Sequence, residues 1–183
     1  MKFKLLILLV AGLSVSGCVD IPDFSDTPSI RYNGISQYTQ IDTIDGYRLE
    51  NEIVVITLDV EDGAGNLGAS PAEYNSDAFA QSYAQVPGWG LRANYELTTL
   101  TKRADGTWDE RILAEDSTKW FPILKTDGKP GPIKAKLDLY ISNFKSNSTR
   151  PTTRKYKVRI IDRAFNISNP LSEPTDEVVV PAF

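Results

Sequence analysis

The sequence predicts an all-β fold, an immunoglobulin-like antiparallel β-sandwich, on three observations. Seven short runs are rich in β-branched and aromatic residues, several with apolar–polar alternation. Prolines 122, 130, 132, 151, 170 and 174 fall between those runs, where a missing N–H costs no sheet hydrogen bond. No strand–helix–strand rhythm calls for a parallel sheet.

Taken in order, residues 29–32 form a plausible first strand. Residues 52–60 (EIVVITLDV) are dense in β-branched side chains and predict a well-buried one. Residues 70–85 are alanine-rich, with Pro71 acceptable in a first helical turn; a short helix near residues 71–84 and a long connection both satisfy them. Residues 92–103 and 107–114 flank Ala104-Asp105-Gly106, where Asp-Gly supplies the positive φ of a tight hairpin turn. In residues 133–142, Ile133, Ala135, Leu137, Leu139 and Ile141 alternate with polar neighbours. Residues 154–161 and 176–180 complete the set. Lys155, Lys157 and Arg159 alternate with Tyr156, Val158 and Ile160, so this basic run reads as the solvated face of a half-buried strand.

Ahead of the domain, Lys2 and Lys4 precede an apolar stretch over residues 5–13, and the small residues Ser16 and Gly17 stand before Cys18. The stretch is too short for a bilayer span, which takes about 20 apolar residues. It fits a signal peptide over residues 1–17, cleaved after Gly17. Val15-Ser16-Gly17-Cys18 resembles the bacterial lipobox, which implies that Cys18 carries lipid and anchors the protein, with the outer membrane as the expected address and either face open. Residues 18–28 read as an acidic tether with Asp20, Asp23 and Asp26, and residues 29–183 as the β-sandwich domain.

Past Gly17 the chain has 166 residues, a usual size for one domain, with 18 basic and 24 acidic side chains. That balance argues against nucleic acid as a partner, since its phosphates favour a basic surface. Without histidine or a second cysteine, the chain lacks Ser-His and Cys-His nucleophile pairs, the common zinc ligand sets and an internal disulfide. The expectation is a protein that is not an enzyme. A carboxylate-pair hydrolase is the one catalytic reading the residue types allow.

The chain echoes itself once. Ile56-x-Leu58-x-Val60-x-Asp62-x-Ala64-x-Asn66 has the phase of Tyr156-x-Val158-x-Ile160-x-Asp162-x-Ala164-x-Asn166. Two readings fit. In one, aspartate accepts backbone N–H groups where the chain leaves a strand, and asparagine tolerates a left-handed turn. In the other, Asp59, Asp62, Asn66, Asp162 and Asn166 are oxygen ligands of calcium, which takes six to eight.

Both loops, Asp62-Gly63-Ala64-Gly65-Asn66-Leu67-Gly68 and Asp162-Arg163-Ala164-Phe165-Asn166-Ile167-Ser168-Asn169, resemble the paired signatures of small lipoproteins common in the Bacteroidota. In that family an Asp-Gly-Asp-Gly-Asp-Leu-Gly loop comes early and an Asp-Arg-Ala-x-Asn-x-Ser-Asn loop late. The resemblance implies an immunoglobulin-like or fibronectin-like module of a group whose members mostly lack an assigned function. Ala64 and Asn66 depart from it, standing where the family often has aspartate.

Trp89, Trp108 and Trp120, with Phe79, Tyr83 and Phe121, offer aromatic surface that could stack on a sugar or fill a core. Trp89 is the preferred ligand-binding residue, because the glycines and proline of Val86-Pro87-Gly88-Trp89-Gly90 predict an exposed loop. The functional expectation is a non-catalytic, lipid-anchored interaction module whose partner is an unknown protein or glycan. A carbohydrate-binding accessory lipoprotein is second, and a calcium-stabilised adhesion-type module ranks behind it.

Overall fold

Each of the seven β-type runs overlaps a strand of the computed structural model, which describes residues 22–144 and 150–181. Gly17, Cys18, the leader and the first part of the tether lie outside the described residues. The strands are β1 (Ser29–Ile44), β2 (Tyr47–Asp62), β3 (Tyr95–Lys102), β4 (Trp108–Arg111), β5 (Ile133–Phe144), β6 (Thr152–Ile160) and β7 (Val178–Val180). They form two antiparallel sheets, β1-β2-β5 and β4-β3-β6-β7, which face each other as an immunoglobulin-like sandwich. The alanine-rich stretch folds as two short helices, α1 (Pro71–Tyr74) and α2 (Asp77–Ala84). A capping box starts α1: Ser70 Oγ accepts the Glu73 N–H, and Glu73 accepts the Ser70 N–H at 2.8 Å.

Period-two alternation places Val54, Ile56, Leu58 and Val60 of β2 in one inter-sheet core with Leu137, Leu139 and Ile141 of β5 and Tyr156, Val158 and Ile160 of β6. Each such side chain, fully buried, stabilises the fold by about 1.5–3 kcal/mol.

The first hairpin is much longer than residues 29–32 and 52–60 suggest. β1 continues to Ile44, and a two-residue turn at Asp45-Gly46, with φ of 52° and 81°, returns the chain into β2 at Tyr47. Two successive positive φ angles are what a tight hairpin needs to match strand twist. The register slips between Tyr32 and Gly34, where a β-bulge admits an extra residue. Ile30 and Tyr32 face the core before the bulge and Ile35 faces it after, so the alternation changes phase mid-strand.

The free edge of β1 is guarded over its first half. The Asn169 side-chain amide accepts the Ile30 N–H at 3.0 Å and donates to the Ile30 carbonyl at 3.0 Å, which reproduces the bonding of a neighbouring strand. Asn94 does the same for Phe121, accepting its N–H at 2.8 Å and donating to its carbonyl at 2.9 Å. Asn94 thereby fixes the long β4–β5 connection against the sandwich.

Towards the hairpin tip the space between the sheets turns polar. Glu52 and Asn143 are buried there; Asn143 donates to the Glu52 carbonyl at 3.3 Å and accepts from Arg154. Glu52 also accepts the Thr39 hydroxyl at 2.9 Å. Thr99 Oγ1, Asp116 Oδ2, Arg154 Nε and Tyr156 OH are buried here without a hydrogen-bond partner. Burial pushes the Asp116 carboxyl up to about 6; the cations Lys119 and Arg154 oppose that and Glu115 adds to it.

A carboxyl group raised in the folded state is stabilising while protonated, below its ordinary value of 3.8, and that contribution is lost as pH rises towards 6. The stability of Asp116→Asn relative to wild type should therefore climb between pH 4 and pH 7, towards a limit of about 3 kcal/mol at the upper end, with its melting temperature rising in step. Thermal unfolding monitored by circular dichroism across that range checks it. A difference independent of pH would show that Asp116 titrates normally.

Candidate interaction surface

The two sequence echoes meet at the end of the sandwich opposite the hairpin tip. Asp62 ends β2 and Asp162 follows β6, and both side chains are fully buried. Each accepts the backbone N–H four residues on: Asn66 N–H to Asp62 Oδ2 at 3.0 Å, and Asn166 N–H to Asp162 Oδ1 at 2.7 Å. Asn166 Nδ2 donates to Asp162 Oδ2 at 2.9 Å. With its NH2 turned towards the carboxylates, Asn66 bridges Asp62 Oδ2 at 3.3 Å and Asp162 Oδ2 at 3.2 Å. Turn chemistry therefore accounts for Asp62, Asn66, Asp162 and Asn166, the reading in which aspartate satisfies the departing backbone.

Calcium ligation by the same residues is poorly served. Of the buried oxygens in these residues, Asp62 Oδ1 alone is left without a partner. Asp59 does not join the group, because strand alternation turns it to the opposite face, where Asn33 donates to it at 2.9 Å. Among the described residues no group of three or more histidine, cysteine or acidic side chains is placed to hold a metal ion. Burial raises the Asp62 carboxyl, with the charges of Asp162 and Asp26 adding to it and N–H donors from Asn66 and Gly65 opposing it.

Trp89 is not on an exposed loop. It is 5 % accessible and packs with Tyr83 and Ile161 in a second, smaller core under the helices. Its indole N–H donates to the Ala93 carbonyl at 2.9 Å, and the Arg159 guanidinium lies 5.6 Å from its ring centroid. The glycines beside it serve a tight turn that drives the ring inward, since Gly88 and Gly90 both have positive φ. Trp108 lies beneath Lys102 and Lys155, 5.5 and 5.0 Å from its ring. Phe121 and Tyr83 are core residues.

The exposed apolar surface is elsewhere, on the outer face of the β1-β2-β5 sheet and along the hairpin. Paired strand residues share a face, so Tyr38–Ile53, Gln40–Asn51, Asp42–Leu49, Ile44–Tyr47 and Val55–Tyr140 form one strip, apolar at both ends and crossed by the polar Gln40–Asn51 pair. Tyr38, Ile44, Tyr47, Leu49 and Tyr140 are 48, 56, 76, 44 and 55 % accessible. Ile53 and Val55, on the same face, are buried beneath this strip. β2 loses its pairing with β5 past Asn51, so the tip from residue 41 to residue 50 projects past the third strand as a two-stranded blade. The sequence carried a signal for it: Asp45-Gly46 is the same dipeptide as Asp105-Gly106, flanked by Ile44, Tyr47 and Leu49.

A cavity of about 450 Å³ lies beside this sheet, between the open edge of β5 and the β4–β5 connection. Trp120, Phe121, Leu124 and Tyr140 give it an apolar lining, and Lys119 and Lys136 are the cations that line it. Trp120 is held by aromatic contacts with Tyr83 and Tyr74, at centroid separations of 5.0 and 6.2 Å. The volume is within the range of small-ligand sites.

Comparison with models of protein families, with curated proteins and with solved structures finds no match to this chain.

The Asp62 geometry makes a prediction that separates the two readings of the echo. Asp62→Asn should leave stability at pH 7 unchanged or raised by about 1 kcal/mol, because it removes a poorly solvated charge next to another carboxylate. A chelator should shift the melting temperature of neither protein. Loss of stability in the variant, together with a chelator-dependent fall in the wild type, would instead establish a metal between the loops.

Proposed function

We propose that this protein is a non-catalytic interaction module, tethered through lipid on Cys18, that presents the outer face of its β1-β2-β5 sheet to a partner. The observation that carries this reading is the exposed apolar strip Tyr38, Ile44, Tyr47, Leu49 and Tyr140. Several large apolar side chains exposed together on a water-facing sheet are costly to leave bare, and aromatic side chains dominate the energetics of interfaces. The blade's position supports the same reading. It stands at the far end of the sandwich from Ser25, which the Gly63 N–H holds at 2.8 Å beside the Asp62 corner. A chain tethered through residues 18–28 would thus carry the strip away from its anchor.

A second reading, carbohydrate binding, is favoured by the cavity along β5, where Trp120 and Tyr140 supply aromatic surface beside Lys119 and Lys136. It moves the expected aromatic platform from Trp89 to Trp120.

Two outcomes are expected. Cys18→Ala should transfer the protein from the membrane fraction to the soluble fraction and remove an acyl mass detectable by mass spectrometry; retention in the membrane would end the tether reading. A photo-activated cross-linker placed at Tyr47 in intact cells should give discrete adducts that the same group at Asp105, on the β3–β4 turn, does not. Equal labelling from both positions would show that the strip is not a preferred contact. For the glycan reading, Trp120→Ala should weaken binding to any polysaccharide that wild type retains on affinity electrophoresis by at least tenfold.

A further inference from the structure

We infer that the open half of the β1 edge pairs with the same segment of a second copy, joining two β1-β2-β5 sheets into one six-stranded sheet. The inference rests on the reading of the hairpin as an interaction surface and names its partner.

Among the described residues, β1 has β2 on one side and no strand on the other. Its first half is closed by Asn169 on Ile30 and by Gln37, whose side chain reaches the Val179 carbonyl at 3.1 Å. From Tyr38 to Ile44, no hydrogen bond from another element reaches the outward backbone among the described residues. Edge strands are ordinarily blunted by lysine, proline or an inward charge. Between residues 35 and 44 there is no lysine and no proline, and Asp42 is the one charge. The bulge, another common guard, lies earlier, at Tyr32/Gly34.

The direction of the backbone groups follows from the ladder. Ile30 points its N–H and carbonyl outward to Asn169, so its partner Val60 points towards β5, as does every second β2 residue from there. The β1 partners of Ile56, Val54, Glu52 and Glu50 are Ile35, Gln37, Thr39 and Ile41, and these therefore point outward. An antiparallel copy related by a twofold axis perpendicular to the sheet keeps outer face with outer face, which requires odd residues to pair with odd.

Centred on Ile41, that pairing is self-complementary. Tyr38 opposes Ile44, Thr39 opposes Thr43, Gln40 opposes Asp42, and Ile41 meets its own copy. Each is a favourable cross-strand combination, and no like charges face each other. The hydrogen-bonding match of Gln40 with Asp42 is already used within one chain, where Gln40 Nε2 reaches the two Asp42 oxygens at 3.2 and 3.0 Å. Shifting the centre to residue 42 would oppose two aspartates, and shifting it to residue 40 would set Tyr38 against Asp42. In the dimer the two apolar strips lie on the same face and double in width.

Two measurements on the full chain test this. In intact cells, Ile41→Cys should give a disulfide-linked dimer on mild oxidation, whereas Thr101→Cys, on β3 of the other sheet, should not. Cross-linking from neither position, or equally from both, would overturn the inference. In detergent, analytical ultracentrifugation should find wild type as a dimer, and Ile41→Lys, which sets two cations opposite each other, should raise the dissociation constant at least tenfold. A monomeric wild type, or a dimer indifferent to Ile41→Lys, would also overturn it. Adducts from Tyr47 to other proteins alongside a monomeric wild type would leave the interaction reading standing and remove only the second copy.

Discussion

Two buried aspartates hold the arrangement of this sandwich at one end. A carboxylate taken out of water must be given hydrogen bonds in return, and Asp62 and Asp162 obtain them from the backbone N–H groups of their own loops and from the amides of Asn66 and Asn166. Each aspartate follows a central strand, one in each sheet, so satisfying both carboxylates at the same place fixes how β2 and β6 lie across the core. Three further segments hang on this corner. The entering chain docks where the Gly63 N–H meets Ser25, and a Cβ on Gly63 would stand 2.3 Å from the Phe24 carbonyl oxygen. Arg163, next to Asp162, pairs with Glu73 of α1 and ties the helices down. At Gly68, with φ of +97°, the chain passes so close to the Pro122 carbonyl oxygen that a Cβ would lie 2.1 Å from it.

The other end is built on different terms. There the inter-sheet space holds Glu52, Asn143, Arg154 and Asp116 with several polar atoms unpartnered, and beyond it the hairpin leaves the sandwich altogether. Polar groups buried without partners reduce the stability of the end they occupy. The molecule thus has a closed end at the Asp62–Asp162 corner and a less stable end at the blade.

How far the sequence reaches is visible strand by strand. β5 was legible because its alternation from Ile133 to Ile141 is unbroken. β1 was not, because the bulge at Tyr32/Gly34 changes which residues face the core, and a period-two search loses the strand there. Trp89 misled for a related reason. Glycine and proline around a tryptophan mark a turn, but a turn can carry its aromatic residue inward as well as outward, and only the pocket formed by Tyr83 and Ile161 decides which. For the calcium expectation, residue types fit the chemistry and four of five positions converge, yet the Asp62 and Asp162 carboxylates already accept from their own loops, Asn66 and Asn166 turn their NH2 groups to those carboxylates, and Asp59 points away.

The sequence by itself determined the fold class, the location of the strands though not the extent of β1, and the Asp105-Gly106 hairpin, because these depend on local periodicity and turn chemistry. Tertiary structure decided what is exposed. Whether Tyr38, Tyr47 and Tyr140 form a surface or a core depends on which strands pair and where β5 begins, and whether the β1 edge is open depends on Asn169, more than 130 residues away in the chain. Those are long-range pairings, and no local pattern encodes them.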